Sequence, residues 1–192
     1  MIDHFAAHPW RADEFYSFYV IAGDPALAAR IGELQKAYDF PNLALIESDE
    51  LHITVQGVGF VPQVSDSELQ QTLDAARQAL QGIARHQAKL APVLVGPSGP
   101  IVPVLDCPSL HQARRALRDI VMETGPDYEA AGAEVFFPHM SLAYSMYEAN
   151  PETEPDVAAG HGEIDIDAIS LVRLRRAAGH YRFDEVETLA LS

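Results

Sequence analysis

Leu51-His52-Ile53-Thr54-Val55 and Pro138-His139-Met140-Ser141-Leu142, whose histidines stand 87 positions apart, share one pattern: histidine, apolar residue, small hydroxyl residue, apolar residue. Apolar, β-branched runs of this kind predict strands, in which residues two apart share a face. His52, Thr54 and Gln56 then line one face, with Leu51, Ile53 and Val55 on the other. His139 and Ser141 likewise share a face, opposite Met140 and Leu142. Each strand buries its apolar side and presents an imidazole and a hydroxyl together. One such pair is a common structural feature. Two of them, in corresponding places, predict a site with two proton-transfer groups and two hydroxyl donors.

The surroundings of the two copies repeat as well. In the first half, Phe15 to Ile21 reads as a strand and ends at Gly23-Asp24-Pro25, where Asp24 suits a helix cap and Pro25 a first turn. Leu27, Ile31, Leu34 and Tyr38 recur at helical spacing up to Pro41-Asn42, and the strand with His52 follows. Ser65 and Glu68 form a capping box for a further helix with Leu69, Leu73, Ala76, Leu80 and Ile83 as its stripe. In the second half, Ile101 to Leu105 reads as a strand that runs into Asp106-Cys107-Pro108-Ser109. Leu110, Ala113, Leu117 and Val121 give a helix, and the strand with His139 comes later. This order hints at an internal duplication. Tyr147 to Glu163 reads as an acidic surface loop. Ala168 to Arg176 and Tyr181 to Leu189 read as a closing hairpin. Strand and helix signals mix without a parallel-sheet pattern, so the fold class is α+β.

The chain of 192 residues is read as one domain, 1–192, with 147–163 as the acidic loop. A lone cysteine, Cys107, rules out an internal disulfide framework, and Met1-Ile2-Asp3-His4 lacks the features of a signal peptide. No apolar run approaches the roughly 20 residues of a membrane span. A cytoplasmic monomer with no membrane contact is expected. The formal net charge of −15 disfavours extended nucleic-acid binding, which needs many basic contacts to phosphates. A small nucleotide or an RNA terminus fits better as substrate.

Histidine, with an ordinary pKa of about 6.5, serves as acid or base near neutrality. Cleaving a cyclic phosphodiester needs both: a base to activate water and an acid to protonate the departing oxygen. Thr54 and Ser141 would donate hydrogen bonds to the phosphate oxygens as charge shifts in the transition state. The scheme calls for no metal and no cofactor, and no Gly-rich phosphate loop is present.

With these motifs the sequence resembles the two-histidine phosphoesterase superfamily, the group of 2′-5′ RNA ligase-like proteins and cyclic phosphodiesterases. The resemblance rests on His52-Ile53-Thr54-Val55 and His139-Met140-Ser141-Leu142 and extends in order of elements from about Phe15 to Leu189. It implies a bilobal, pseudo-two-fold α+β fold, mainly antiparallel sheets flanked by helices, with both motifs in a central groove. It also implies metal-independent hydrolysis of 2′,3′-cyclic phosphates or related RNA-end phosphodiesters, with reversible 2′-5′ joining in some members. Gln56-Gly57 departs from the bulky residue often found after the first motif, which bears on the substrate rather than the chemistry. A catalytically silent nucleotide-binding module with the same groove is the alternative reading.

Further candidate substrate contacts are Gln56, on the face of His52; Tyr144, which needs a break in strand alternation to reach the cleft; and Arg173, which with Arg175 could neutralise a terminal phosphate. Tyr16, Phe18 and Tyr19 offer a stacking surface, although core packing is the commoner use of such aromatics. His4 and His8 have helical metal spacing but lie at a terminus expected to be mobile, without a third ligand. Glu47, Asp49 and Glu50 precede His52 and are placed to orient its ring, against a default of a solvated acidic turn.

Overall fold

Asp3 opens the chain's first helix, α1 (His4–Ala7), by accepting from the backbone N–H groups of Phe5 and Ala6. The aromatic run that follows forms β1 (Glu14–Ile21). Asp24 then caps α2 (Pro25–Gln35), with proline in the first turn where its missing N–H costs nothing. After β2 (Leu43–Leu45) comes β3 (His52–Phe60), which carries the first motif. Ser65 and Glu68 close a full capping box on α3 (Asp66–Leu80). The second half runs through β4 (His86–Leu90), β5 (Leu94–Gly96) and β6 (Gly99–Leu105) into α4 (Pro108–Thr124). It continues with β7 (His139–Ser141), which carries the second motif, β8 (Ala143–Ser145) and β9 (Gly162–Ile166). The hairpin β10 (Ala168–Ala177) and β11 (His180–Ala190) closes the chain. This computed structural model describes residues 1–124, 135–148, 162–177 and 179–192.

The main sheet has the order β11-β10-β1-β3-β7-β6-β4-β9, with β5 beside β6, and β2 pairs separately with β8. Every pairing among the described residues is antiparallel, as the α+β reading expects. The order is symmetric about the β3–β7 junction. On one side β1, α2 and β3 follow in sequence; on the other β6, α4 and β7 do the same. The duplication read from the sequence is thus present in the topology.

The junction itself is one register pair, Ile53 opposite Met140, both with no exposed surface. These are the central apolar residues of the two motifs. They join one large core with Leu27 and Ile31 of α2, Leu73 and Leu80 of α3, and Leu110 and Leu117 of α4. No helix of the described residues is long and apolar enough to cross a membrane.

Three local expectations change. In α2 the buried position after Ile31 is Gln35, while Leu34 is only partly covered. The Gln35 amide donates to the carbonyls of Ile46 (2.7 Å) and Leu142 (2.8 Å), so a polar side chain ties the helix to the bend after the second motif. Of the predicted acidic loop 147–163, residues 149–161 lie outside the described residues, and Gly162 and Glu163 already belong to β9. The N-terminus, expected to be mobile, is fastened by Arg176, whose guanidinium donates to the carbonyls of Phe5 (3.3 Å) and His8 (2.6 Å).

Candidate functional site

Antiparallel pairing of Ile53 with Met140 fixes the geometry of both motifs. Continuing that register by one residue either way sets His52 opposite Ser141 and Thr54 opposite His139. Directly opposed residues point to the same side of a sheet. With Ile53 and Met140 turned into the core, all four polar side chains turn to the other face. The local two-fold through the Ile53–Met140 pair exchanges His52 with His139 and Thr54 with Ser141. Diagonal neighbours on such a ladder lie about 7–8 Å apart at the backbone, close enough for two imidazoles to reach one tetrahedral group from opposite sides.

The four residues line one groove of about 550 Å³, within the roughly 300–1,000 Å³ typical of small-ligand sites. Ser17 and Tyr19 of β1 and Leu174 of β10 extend its floor. Its aromatic lining includes Phe136 and Phe137, and a cluster in which Tyr181 packs on both Trp10 (5.4 Å) and Tyr144 (5.3 Å). Arg114 reaches in from α4, its guanidinium 5.8 Å from the Phe136 ring centroid. Burial, with Arg118 close by, pulls the Arg114 pKa down from the usual guanidinium range. Not one of the described lining residues is Asp or Glu, in a chain with 28 of them. The described lining therefore carries no negative charge, which favours an anion.

Both histidines are held by the same device. His52 Nδ1–H donates to the carbonyl of Glu50 at 2.7 Å, and His139 Nδ1–H to the carbonyl of Phe137 at 2.8 Å. A carbonyl only accepts, so Nδ1 carries a proton in both rings, and Nε2 is the nitrogen that gains and loses the second one. The symmetry ends at the surroundings. His52 is 9% exposed and lies flat against Tyr19, with ring centroids 3.9 Å apart at an interplanar angle of 7°. Burial pulls its pKa down to about 4, partly offset by the Glu50 carbonyl, with a smaller downward push from His139. His139 is more open and stacks at 5.9 Å on Phe137, itself 51% exposed.

Glu50 thus orients His52 through its backbone, not its carboxylate, which pairs with Arg182 at 3.3 Å. Glu47 pairs with the same guanidinium and is held below the usual carboxylate range by it.

The remaining candidates separate. Gln56 is buried and lines the groove, its amide donating to the Gly57 carbonyl at 2.6 Å. Tyr144 lines it too, because β7 stops at Ser141 and a bend at Leu142 restarts the chain as β8, breaking the alternation that would have turned the ring away. Gly99 permits this bend: its φ is +141°, and a Cβ there would run into the Ala143 carbonyl. Arg173 is not brought in. Leu174 takes the groove side of β10, so alternation turns Arg173 and Arg175 away, to ion pairs with Glu14 and Asp184. Of Tyr16, Phe18 and Tyr19 only Tyr19 lines the groove, and Phe18 is core; Phe15, on the same strand, lines it as well.

Two groove features go beyond the site residues read from the sequence. Arg114, of the basic cluster Arg114-Arg115-Arg118 that left a local positive cleft open, sits four residues after Leu110 at the edge of the apolar stripe of α4, and the sequence does not tell it from its two neighbours. His4, His8 and Trp10 reach the groove only because the terminus folds back, which no local pattern signals.

A family model described as the 2′-5′ RNA ligase superfamily matches residues 23–178. No curated protein gives a significant match. Among solved structures, TT0787 of Thermus thermophilus superposes with a TM-score of 0.74 at 19% identity, covering 94% of this chain and 98% of that one. E. coli LigT in apo form gives 0.70 at 20% identity, over 94% and 99% of the two chains. E. coli LigT complexed with 3′-AMP gives 0.72 at 18% identity over the same shares. At these identities the structural likeness establishes the fold.

Proposed function

The chain belongs to the 2′-5′ RNA ligase superfamily, the two-histidine phosphoesterases, and from that premise we propose that it is a metal-independent phosphodiesterase acting on a 2′,3′-cyclic phosphate or a related RNA-end phosphodiester. Membership makes it an enzyme of phosphodiester chemistry. The observation that carries the finer reading is the four motif side chains gathered around one local two-fold, on the floor of a groove lined by no described carboxylate.

In this reading His52 begins neutral, because burial holds its pKa to about 4, and takes a proton from water at Nε2. The water oxygen bonds to phosphorus as the bond from phosphorus to one ribose oxygen breaks. His139, protonated at Nε2, gives its proton to that departing oxygen. One water is consumed, one P–O bond forms and one breaks, and the product is a phosphate monoester. The two protonation states then stand exchanged between the rings and are reset through solvent. Thr54 and Ser141 donate to the two non-bridging oxygens, one from each strand. Arg114 supplies fixed positive charge at the groove.

The same groove suits 2′-5′ joining, which follows the same proton transfers with a ribose hydroxyl in place of water as the group that bonds to phosphorus. The test is a panel of 2′,3′-cyclic nucleotides, 2′-5′ dinucleotides and cyclic-phosphate-ended RNA, each with and without chelator. Turnover of a cyclic phosphate that ignores chelator is the expected result. Chelator-sensitive turnover would exclude the scheme, and nucleotide binding without any product would leave a silent binding module.

A further inference from the structure

We propose that the N-terminal hook, residues 3–10, is part of the substrate site: it forms the wall that receives the nucleoside's base, while the motif floor receives the phosphate. The inference rests on the phosphodiesterase reading for the identity of the ligand, a nucleotide carrying a terminal phosphate.

The hook lies ahead of the family match, which begins at residue 23. It is nevertheless built in. Ile2 N–H donates to the Pro97 carbonyl at 2.7 Å. Arg176 is the central pin: its guanidinium lies 4.9 Å from the ring centroids of both Phe5 and Trp10 and 5.4 Å from that of Tyr181, besides holding the two hook carbonyls. It also donates to the Tyr181 hydroxyl at 2.9 Å, which in turn meets His4 Nε2 at 3.3 Å. A surface tail of no consequence would not engage three acceptors and three rings through one arginine.

What the pin achieves is a change in the groove. His4 is laid on Tyr144, with centroids 4.4 Å apart at 30°, and His8 follows at 4.8 Å from His4. Trp10 packs on Tyr181 at 5.4 Å. His4, His8 and Trp10 all line the groove that holds His52 and His139. His4 is kept neutral there, burial drawing its pKa down to about 4. The hook therefore adds flat, largely uncharged π surface. Such surface binds bases by stacking with little regard to their identity, because every base presents a π face. The motif floor, by contrast, carries imidazoles and hydroxyls suited to a phosphate, and its one further ring, Tyr19, is covered by His52. Of the aromatic groups in the described lining, the one the hook completes is the larger and is pinned through Arg176.

The test compares adenosine 3′-monophosphate with inorganic phosphate by calorimetry, on the full chain, on a chain lacking residues 1–10, and on Arg176→Met, which keeps the packing stem but removes the pin. The nucleoside part should strengthen binding in the full chain. In both variants affinity for the nucleotide should fall about tenfold or more while affinity for phosphate moves less than about twofold, since base stacking and not the phosphate contact is lost. Equal losses for both ligands would make the hook a structural brace and overturn the proposal. Unchanged nucleotide affinity would overturn it too, as would a Phe137→Ala variant that alone abolishes the nucleoside's contribution, since the base would then lie on Phe137 and not on the hook. Because the readout is binding, a chain that binds the nucleotide yet turns over no cyclic phosphate would sink the catalytic reading and leave the hook's role standing.

Discussion

His52 and His139 are mates across a local two-fold, carry the same tautomer through the same backbone device, and differ in burial. That difference has two measurable consequences for His52. As a base it must be neutral, and with a pKa of about 4 it is neutral at every pH well above that value. The acidic limb of kcat/KM should therefore fall near pH 4 in the free protein, not near 6.5, and a limb at 6.5 would remove His52 from the base role. The second consequence is for stability. The fold lowers the His52 pKa from 6.5 to about 4, so folding favours the neutral ring; its contribution is fully present above pH 6.5 and is lost as pH falls from 6.5 towards 4. The loss amounts to about 3 kcal/mol. His4, drawn down to a similar value, acts with the same sign. Comparing denaturation of the parent with His52→Gln at pH 7 and pH 4.5 isolates the first ring: the parent should lose about 2–3 kcal/mol more than the variant. Replacing either histidine by alanine should lower turnover by roughly 10²- to 10⁴-fold, the usual contribution of one acid–base group, with near-UV circular dichroism unchanged.

Elements set these rings, and the bend after β7 is the least local of them. It depends on Gln35, which reaches from α2 to two backbone carbonyls buried beside it. Gln35→Leu fits an apolar site but removes the amide donor from the Ile46 carbonyl and leaves the Leu142 carbonyl with only the Ile46 N–H, so it should cost about 1–3 kcal/mol. Chemical denaturation reads that loss, and a variant as stable as the parent would mean the amide contributes nothing. The example also marks where a sequence stops being readable. The capping box of Ser65 and Glu68, the Asp24-Pro25 start and the alternation of His52-Ile53-Thr54 are complete within a few residues, and each stands in the structure where local chemistry puts it. Gln35, Arg114 and the hook gain their meaning from partners far along the chain, as Gln35 does from Leu142 and the hook from Arg176. Strand alternation is enough to question Tyr144, and the bend at Leu142 is invisible in the sequence because it is fixed by contacts from α2 and β6. Arg173 fails for the opposite reason: its facing is set by the parity of β10 against the groove, and the sequence offers no origin from which to count.

At the scale of the molecule, charge decides what kind of substrate can approach. The chain carries −15, yet the described groove lining holds no carboxylate and only one permanent cation, Arg114. A protein that grips a polyanion loses affinity steeply with salt, log K falling with log salt by about 0.7 per single-strand phosphate neutralised. A site that engages one phosphate should show a slope no steeper than about −1. The surrounding negative field works the other way: added salt screens its repulsion of an incoming anion, over a Debye length of about 8 Å at physiological ionic strength. The two effects oppose each other, so KM for a cyclic mononucleotide should change by less than about threefold between about 50 and 200 mM salt. For an RNA ending in a cyclic phosphate, each further nucleotide brings another negative charge into the repulsive field, beyond the one cation of the described groove lining. Longer RNAs should then bind no more tightly than the terminal nucleotide alone, and their KM should improve as salt rises. Steady-state kinetics on a length series at several salt concentrations makes the comparison. Affinity that climbs with RNA length and collapses with salt would mean a basic track leads out of the groove, and the substrate would be the polymer, not its end.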